Sequence, residues 1–386
     1  MLSTLAHMGM AMHLMALALL YFLAAPAVRA ARSTWLERRL VPPADNSQSL
    51  ALIVPLTGDA PGMARCLDSL LHQPDMDVDA YFVVRDEADP AAGIVRKLMK
   101  SHPRLRLVFS GPAQVCCQKN HSLLAGIDAV CSSGRPDILV FCDSSHEAAP
   151  DFLARLTAPI THNHAVLSTT HRRVLPRSGI ADACYFFCAL SVQMLQALPL
   201  LRQPWGGATA MRTHDFFVHG VDAVWARGIV DDFTMGPYLQ SRGVRPTVVP
   251  EAALLTRLEP QTWSGWWAWW LRQLLYLKFC MPCTWLAATL GVLGLAGLWC
   301  WAAVNLITGG VAGWLYLAGL AGLGLTFGAL AQEPLPAWRR ITGFLIMQTV
   351  TLPCFLATWC TNSLRWRGVS YKAGFDGTVK HIENTE

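Results

Sequence analysis

The chain predicts an α/β protein: a mostly parallel sheet with helices on both faces, plus transmembrane helices at the N- and C-terminal ends. Three observations carry this. Between Ser49 and about Thr170, short β-rich runs alternate with helix-patterned ones, the signature of βαβ units. Apolar runs long enough to cross a bilayer, which takes about 20 residues, lie toward both ends. The composition agrees, because 53% of the 386 residues are hydrophobic and only 15% charged, against roughly 25% charged in an ordinary soluble domain. A formal net charge of +5 suits work beside an anionic membrane surface. No dense basic patch with interleaved aromatics is present, which argues against nucleic acid as a partner.

The first element, residues 1–30, is read as a membrane anchor: Leu5 to Val28 are apolar, and Arg29, Arg32, Arg38 and Arg39 follow. By the positive-inside rule the next domain then lies in the cytoplasm. A cleaved signal peptide is the alternative, favoured by the small residues around Ala25–Ala31 and disfavoured by the lack of Lys or Arg before the apolar run. Residues 45–260 form the cytoplasmic domain. Leu50–Pro55 reads as its first strand, Met63–His72 as a helix and Ala80–Val84 as the second strand. Leu105–Ser110 is the third, Lys119–Val130 a helix and Ile138–Cys142 the fourth. Polar loops at one end of four such strands build a nucleotide pocket. Neither G-x-G-x-x-G nor a P-loop follows the first strand, which disfavours dinucleotide and ATP-type phosphate cradles.

Asp143, at the carboxyl end of the fourth strand, stands where open α/β sheets bind ligands and is a candidate for holding a metal with a diphosphate. Alone, it would equally cap a helix or make a turn with Ser144 and Ser145. Asp89, or Asp86, ends the second strand and is placed to accept a hydrogen bond from a nucleobase; the alternative is a solvated loop closed by Pro90.

Ala183–Leu201 is apolar but interrupted by Gln193 and Gln196, and reads as a helix in or on the membrane surface lining an acceptor groove. The preceding Arg172, Arg173 and Arg177 read as a solvated face toward lipid headgroups, with a diphosphate contact as the alternative. Gly206 to Arg212 are small residues suited to close backbone approach to a ligand, or to a tight turn. Asp231–Asp232 follow a short apolar run, as a helix N-terminus or as carboxylates facing the pocket, one of them a general base. Residues 261–280, with Trp263, Trp266, Trp267 and Trp270, read as an interfacial helix, with a buried aromatic core as the alternative. Residues 281–364 carry three apolar runs, and 365–386 form a tail. If all three runs cross, the tail's Arg365, Arg367, Lys372 and Lys380 break the positive-inside rule.

Twelve cysteines without a regular framework indicate reduced thiols, and Cys280-x-x-Cys283 lacks the second pair of a zinc site. His146, His162, His164, His214 and His219 lack a third ligand at metal spacing and read as surface or capping residues.

These residues resemble the ceramide glucosyltransferases, family 21 of the glycosyltransferases, and their bacterial relatives. The likeness covers most of the chain. An aspartate before Pro-Ala matches Asp89, Cys-Asp-Ser after an apolar strand matches Asp143, and an acid pair before an aromatic residue matches Asp231–Phe233. A loop lysine matches Lys119, the small-residue stretch ending in Met-Arg matches Gly206–Arg212, and the tail's Trp-Arg followed by Gly and Tyr matches Trp366–Tyr371. One departure stands out. The family's Gln or Arg, two residues, then Arg-Trp is here Arg272-Gln273-Leu274-Leu275-Tyr276. The resemblance implies a nucleotide-diphospho-sugar transferase fold of the GT-A kind, in a multi-pass protein of the bacterial inner membrane. It implies transfer of a sugar, glucose, from a UDP-sugar to a ceramide-like membrane lipid hydroxyl with inversion. Asp89, Lys119, Asp143 and Arg272 would bind the nucleotide sugar, Asp143 with Mg²⁺ or Mn²⁺, and Asp232 would be the base. Rivals are a hopanoid or other lipid N-acetylhexosaminyl transferase, a processive polysaccharide synthase, and an inactive lipid-binding protein keeping the fold.

Overall fold

The structure, a computed structural model, describes residues 47–196, 198–330 and 335–384, with the single positions 11 and 44. The anchor expected at residues 1–30 lies, but for position 11, outside the described residues. The sheet opens as the sequence implies. β1 (Leu50–Pro55), α1 (Met63–Leu71), β2 (Val78–Val84), α2 (Pro90–Leu98), β3 (Leu105–Phe109), α3 (Gln118–Ser133) and β4 (Ile138–Cys142) follow in order. Next come α4 (Phe152–Thr161), β5 (Leu167–Thr169), β6 (Arg172–Leu175), α5 (Ile180–Gln196) and β7 (Ala208–Arg212). The short α6 (Thr213–Val218) and α7 (Val221–Trp225), then α8 (Asp232–Gln240), β8 (Thr247–Val248) and β9 (Leu254–Arg257), complete this part.

Seven strands pair in the order β3-β2-β1-β4-β7-β5-β8. β1 runs parallel to β2 and β4, and β2 parallel to β3, while β7 is antiparallel to both β4 and β5. β1 shows why its residues form a central strand, since alternate side chains feed opposite cores. Leu50, Leu52 and Val54 pack with Leu67, Val95 and Phe152 on one face. Ala51 and Ile53 pack with Ile127, Phe216 and Trp225 on the other. The chain steps from β1 toward β2 and β3, then returns past β1 to β4. That reversal opens a crevice beyond the carboxyl ends of β1 and β4. β7 corrects the expectation of a ligand-approach loop or turn at Gly206–Arg212: Ala208 to Arg212 are a strand, and only Gly206 and Gly207 remain in the loop.

Four long helices follow: α9 (Trp263–Cys280), α10 (Pro282–Ile307), α11 (Val311–Leu330) and α12 (Ala337–Trp359). The last three are long and apolar enough to cross a membrane. In α9, Trp266 is fully buried in the core shared with α5 and α12 whereas Trp263 is exposed, so its tryptophans do not share one interfacial environment.

The tail is folded. β10 (Ser363–Trp366), β11 (Val369–Ala373) and β12 (Val379–Asn384) make an antiparallel sheet. It docks on the α/β domain through Leu364, Val369 and Tyr371, which are buried with Ile229, Leu275 and Phe279. Ile229 N donates to Gly377 O and Val379 N to Arg227 O, both within 2.9 Å. Tail and α/β domain therefore share one side of any bilayer, and α10, α11 and α12 cannot all cross it. Docking also accounts for the departure at Leu275. That side chain is 3% exposed against the tail sheet and not on the cavity wall, so an apolar residue meets an apolar partner.

Candidate active site

Three segments converge beyond β4. Asp143 follows β4 directly, and its N–H donates to Gly207 O at 3.1 Å, which sets the Gly206–Gly207 loop beside it. Lys119 is the second residue of α3, whose N-terminus is capped by Cys117 Sγ accepting from Asn120 N. Asn120, fully buried, donates through Nδ2 to Trp225 O and Gly228 O, and Trp225 Nε1 donates to Asp231 O at 3.1 Å. These bonds fix the Ile229–Asp232 segment against α3.

Lys119 Nζ is the centre of the site. It lies 2.9 Å from Asp143 Oδ1 and 2.9 Å from Asp231 Oδ2, and it donates to Gly206 O at 3.0 Å. Burial opposes its charge, but the carboxylates of Asp143, Asp231 and Asp232 outweigh that and hold its pKa well above the usual lysine range. Asp232 points the other way electrostatically. Burial, then the neighbouring Asp231 charge, raises its carboxyl from 3.8 to about 7, although Lys119 pulls it down. Gly206 N donates to its Oδ2 at 2.9 Å and Phe233 N to its Oδ1 at 2.7 Å, so both oxygens are oriented by backbone. The result is a carboxylate poised to gain or lose a proton near neutrality.

Gly206 is required here for space. A Cβ on it would sit 2.7 Å from Asp231 Oδ2 and 2.9 Å from Lys119 Nζ. Gly206→Ala is expected to push Lys119 and Asp231 apart and lower turnover roughly 10²-fold, the order a small misplacement costs. Turnover measured on a variant with an unchanged melting temperature checks it; wild-type turnover would show that the cluster can shift at no cost.

Asp143, Asp231, Asp232 and Lys119 line a cavity of about 970 Å³ with Pro55, Leu56 and Thr57 of the β1 end. Arg272 and Tyr276 of α9 face it too. The structure does not bring Asp89 to this wall. Asp89 caps α2, its Oδ1 accepting from Ala91 N at 2.9 Å and from Gly58 N at 2.8 Å, and so it holds the loop leaving β1. His146 is corrected from a surface or capping residue to a buried one on the cavity wall. Its Nδ1 is 2.8 Å from Thr256 Oγ1, and burial lowers its pKa to about 3, so it is neutral. Asp231 was visible in the sequence, but its pairing with Lys119 was not, because that depends on the turn at Gly228. Arg85, Arg367 and Tyr371 also line the cavity; the alternating runs Ser363–Trp366 and Val369–Ala373 on either side of Gly368 are the readable part of the hairpin signal, while Arg367 at its tip is not.

The residues fit a divalent cation held jointly with a diphosphate. Among the described residues no group of three or more His, Cys, Asp or Glu side chains gathers as a metal cage. Asp143, however, is half-buried on the cavity wall, and Asp231 Oδ1 is buried without a hydrogen-bond partner. One or two carboxylates completed by phosphate oxygens and water are the usual Mg²⁺ donor set.

The sequence profile of glycosyl transferase family 21 matches residues 10–379. The chain belongs to glycosyl transferase family 21. It is a glycosyltransferase, and its fold has GT-A neighbours among solved structures. The mannosyltransferase PcManGT from Pyrobaculum calidifontis, in complex with GDP-Man and Mn²⁺, is similar at 19% identity and a TM-score of 0.52, covering 92% of this chain and 99% of that one. Glucosyl-3-phosphoglycerate synthase from Mycobacterium tuberculosis, in complex with Mn²⁺ and UDP-glucose, gives 15% identity and a TM-score of 0.38, covering 65% and 80%. At 19% identity the likeness to the mannosyltransferase concerns the fold. Among curated protein sequences, none matches the chain.

Proposed function

We propose that this family 21 glycosyltransferase moves a sugar, glucose, from a UDP-sugar to the hydroxyl of a ceramide-like membrane lipid, with inversion at the anomeric carbon. One observation carries the lipid half. The cavity holding Lys119, Asp143 and Asp232 is continuous with an apolar end lined by Val192 of α5, Leu277 of α9, Ala287 and Ala288 of α10 and Phe355 of α12. A polar headgroup hydroxyl is thus brought to the acids while its chains stay among the membrane helices. That α12 packs along α5, is bonded near its start to Gly179 O through Arg339 and near its end to Lys278 of α9, and leads into the docked tail, supports α10 and α11 as a crossing pair with α12 in the interface. By the positive-inside reading, the catalytic domain faces the cytoplasm at a bacterial inner membrane.

In this mechanism Asp232 takes the proton of the acceptor hydroxyl as that oxygen attacks the anomeric carbon. The bond from that carbon to the diphosphate oxygen breaks on the opposite face. Lys119 and Arg272 bind the diphosphate, and Asp89 shapes the nucleotide end by holding Gly58. Asp143 would hold Mg²⁺ or Mn²⁺, which when bound neutralises charge on the departing diphosphate.

Release of UDP by the detergent-solubilised protein tests the proposal, with UDP-glucose or UDP-N-acetylglucosamine as donor and ceramide or hopanoid as acceptor. The expected result is ceramide-dependent release with UDP-glucose, lost in Asp232→Asn. Release with the N-acetylhexosamine and hopanoid pair alone would replace the substrates. Release with no lipid acceptor would overturn the lipid assignment.

A further inference from the structure

Four arginines lie on the cavity wall, and their surroundings sort them. Arg85 is paired with Asp86 at 2.7 Å. Arg172 lies 5.2 Å from the ring centroids of both Tyr185 and Trp269 and donates to the Tyr185 hydroxyl. Arg272 projects from α9. Arg367 comes from the tail, at the tip of the β10–β11 hairpin, and among the described residues it forms no ion pair.

The hairpin tip is built in an uncommon way. Trp366 pairs with Val369, leaving Arg367 and Gly368 as a two-residue turn. Their φ values are +51° and +75°, the left-handed pair of a type I′ turn. Such turns favour Gly, which has no Cβ to crowd the backbone carbonyl there, and Asn or Asp, whose short polar side chains bond to the neighbouring backbone; arginine has neither advantage. An arginine kept in that conformation points to a use for its side chain. The guanidinium spans the crevice: a methyl group placed on Gly58 would lie 3.6 Å from Arg367 Nη1, so the tail reaches the loop leaving β1. The hairpin beneath is well anchored, with Tyr371 1% exposed and its hydroxyl accepting from Gln118 N, the residue before Lys119.

We infer that Arg367 is a donor-binding residue, the tail hairpin closing the nucleotide end of the cavity so that its guanidinium grips the phosphates of a nucleoside diphosphate. The chemistry suits the position. A guanidinium offers paired N–H donors to phosphate oxygens, and such charge-assisted bonds are about twice as strong as neutral ones. This rests on the proposed UDP-sugar reading and deepens it by bringing the C-terminal tail into the donor site.

Arg367→Asn separates binding from structure, because asparagine suits the left-handed turn and lacks the charge. In the full-length, detergent-solubilised protein, titration calorimetry with UDP, and separately GDP, gives affinity, and thermal unfolding without nucleotide gives stability. The expected result is a Kd for UDP raised tenfold or more with a melting temperature unchanged or higher. The donor KM should rise with kcat little changed, and Arg367→Lys should recover part of the affinity. An unchanged Kd in Arg367→Asn, or affinity and melting temperature falling together in both variants, would overturn the inference while leaving the donor assignment standing. A wild-type protein that binds GDP and not UDP would refute the donor named above and keep the arginine's role if Arg367→Asn weakens GDP. Wild-type protein that binds neither would refute the donor reading and this inference together.

Discussion

Asp232→Asn is expected to lower lipid glycosylation by roughly 10²–10⁴-fold, the range a positioned general base contributes. Asparagine keeps the shape and an oxygen for one of the two backbone donors, Gly206 N or Phe233 N, but turns its amide N–H toward the other, so the rate loss is read together with the pH profile. The same residue sets a pH signature. Because burial and Asp231 raise its carboxyl to about 7, kcat/KM should rise with pH and level off above neutrality. A flat profile from pH 5.5 to 8 would remove Asp232 from the role of base. Stability runs the opposite way. The folded pKa lies above the unfolded 3.8, so between about pH 4 and pH 7 the native state binds more protons than the unfolded chain. Stability from this group is complete below about pH 4 and is lost as pH rises through 7. Asp232→Asn escapes that loss, and its melting temperature should gain on wild type between pH 5 and pH 8.

Lys119→Met should be the most destabilising single change at the site. It removes the one cation within ion-pair distance of Asp143 and Asp231 among the described residues. The Asp231 side chain is 4% exposed and that of Lys119 18%, so solvent screens the pair little. Removing one member of a buried pair typically costs about 3–5 kcal/mol, through the charge left behind. Urea unfolding of the purified protein reads this. Adding Asp231→Asn to Lys119→Met should restore a large part of the loss, since it removes the orphaned charge. Additive losses in the double variant would mean that Lys119 acts through packing alone.

Strands whose apolar pattern is set locally were legible in the sequence. β1 occupies Leu50–Pro55 and β4 Ile138–Cys142 as read from their unbroken apolar runs, because a strand covered on both faces has little freedom in composition. β7 was not, since Ala208-Thr209-Ala210-Met211-Arg212 carries no strand-like run, and its place between β4 and β5 comes from pairing with distant segments. Asp143 was marked by its position at a strand end. Asp89 illustrates the limit. An aspartate before Pro90 reads as a ligand residue or as a cap, and the structure gives it the cap of α2 and a bond to Gly58. The acid pair Asp231–Asp232 was legible from the residues; Lys119, and the choice of Asp232 within the pair, came through the family resemblance, and only folding shows Lys119 between two carboxylates. The tail was hardest to place, because its docking depends on Leu275 and Ile229, far away in the chain.

Docking of the tail also governs when a newly made molecule can work. Trp366, Arg367 and Tyr371 leave the ribosome after the apolar helices α10 to α12, yet they wall the same cavity as Lys119. A nascent chain halted between α9 and β10 has its acids and lysine but an open crevice. The cavity is finished only once the apolar helices have been threaded and have brought the tail back to the catalytic domain. Correct membrane insertion is thereby a condition for a complete site, and a molecule inserted with the tail on the far side lacks that wall.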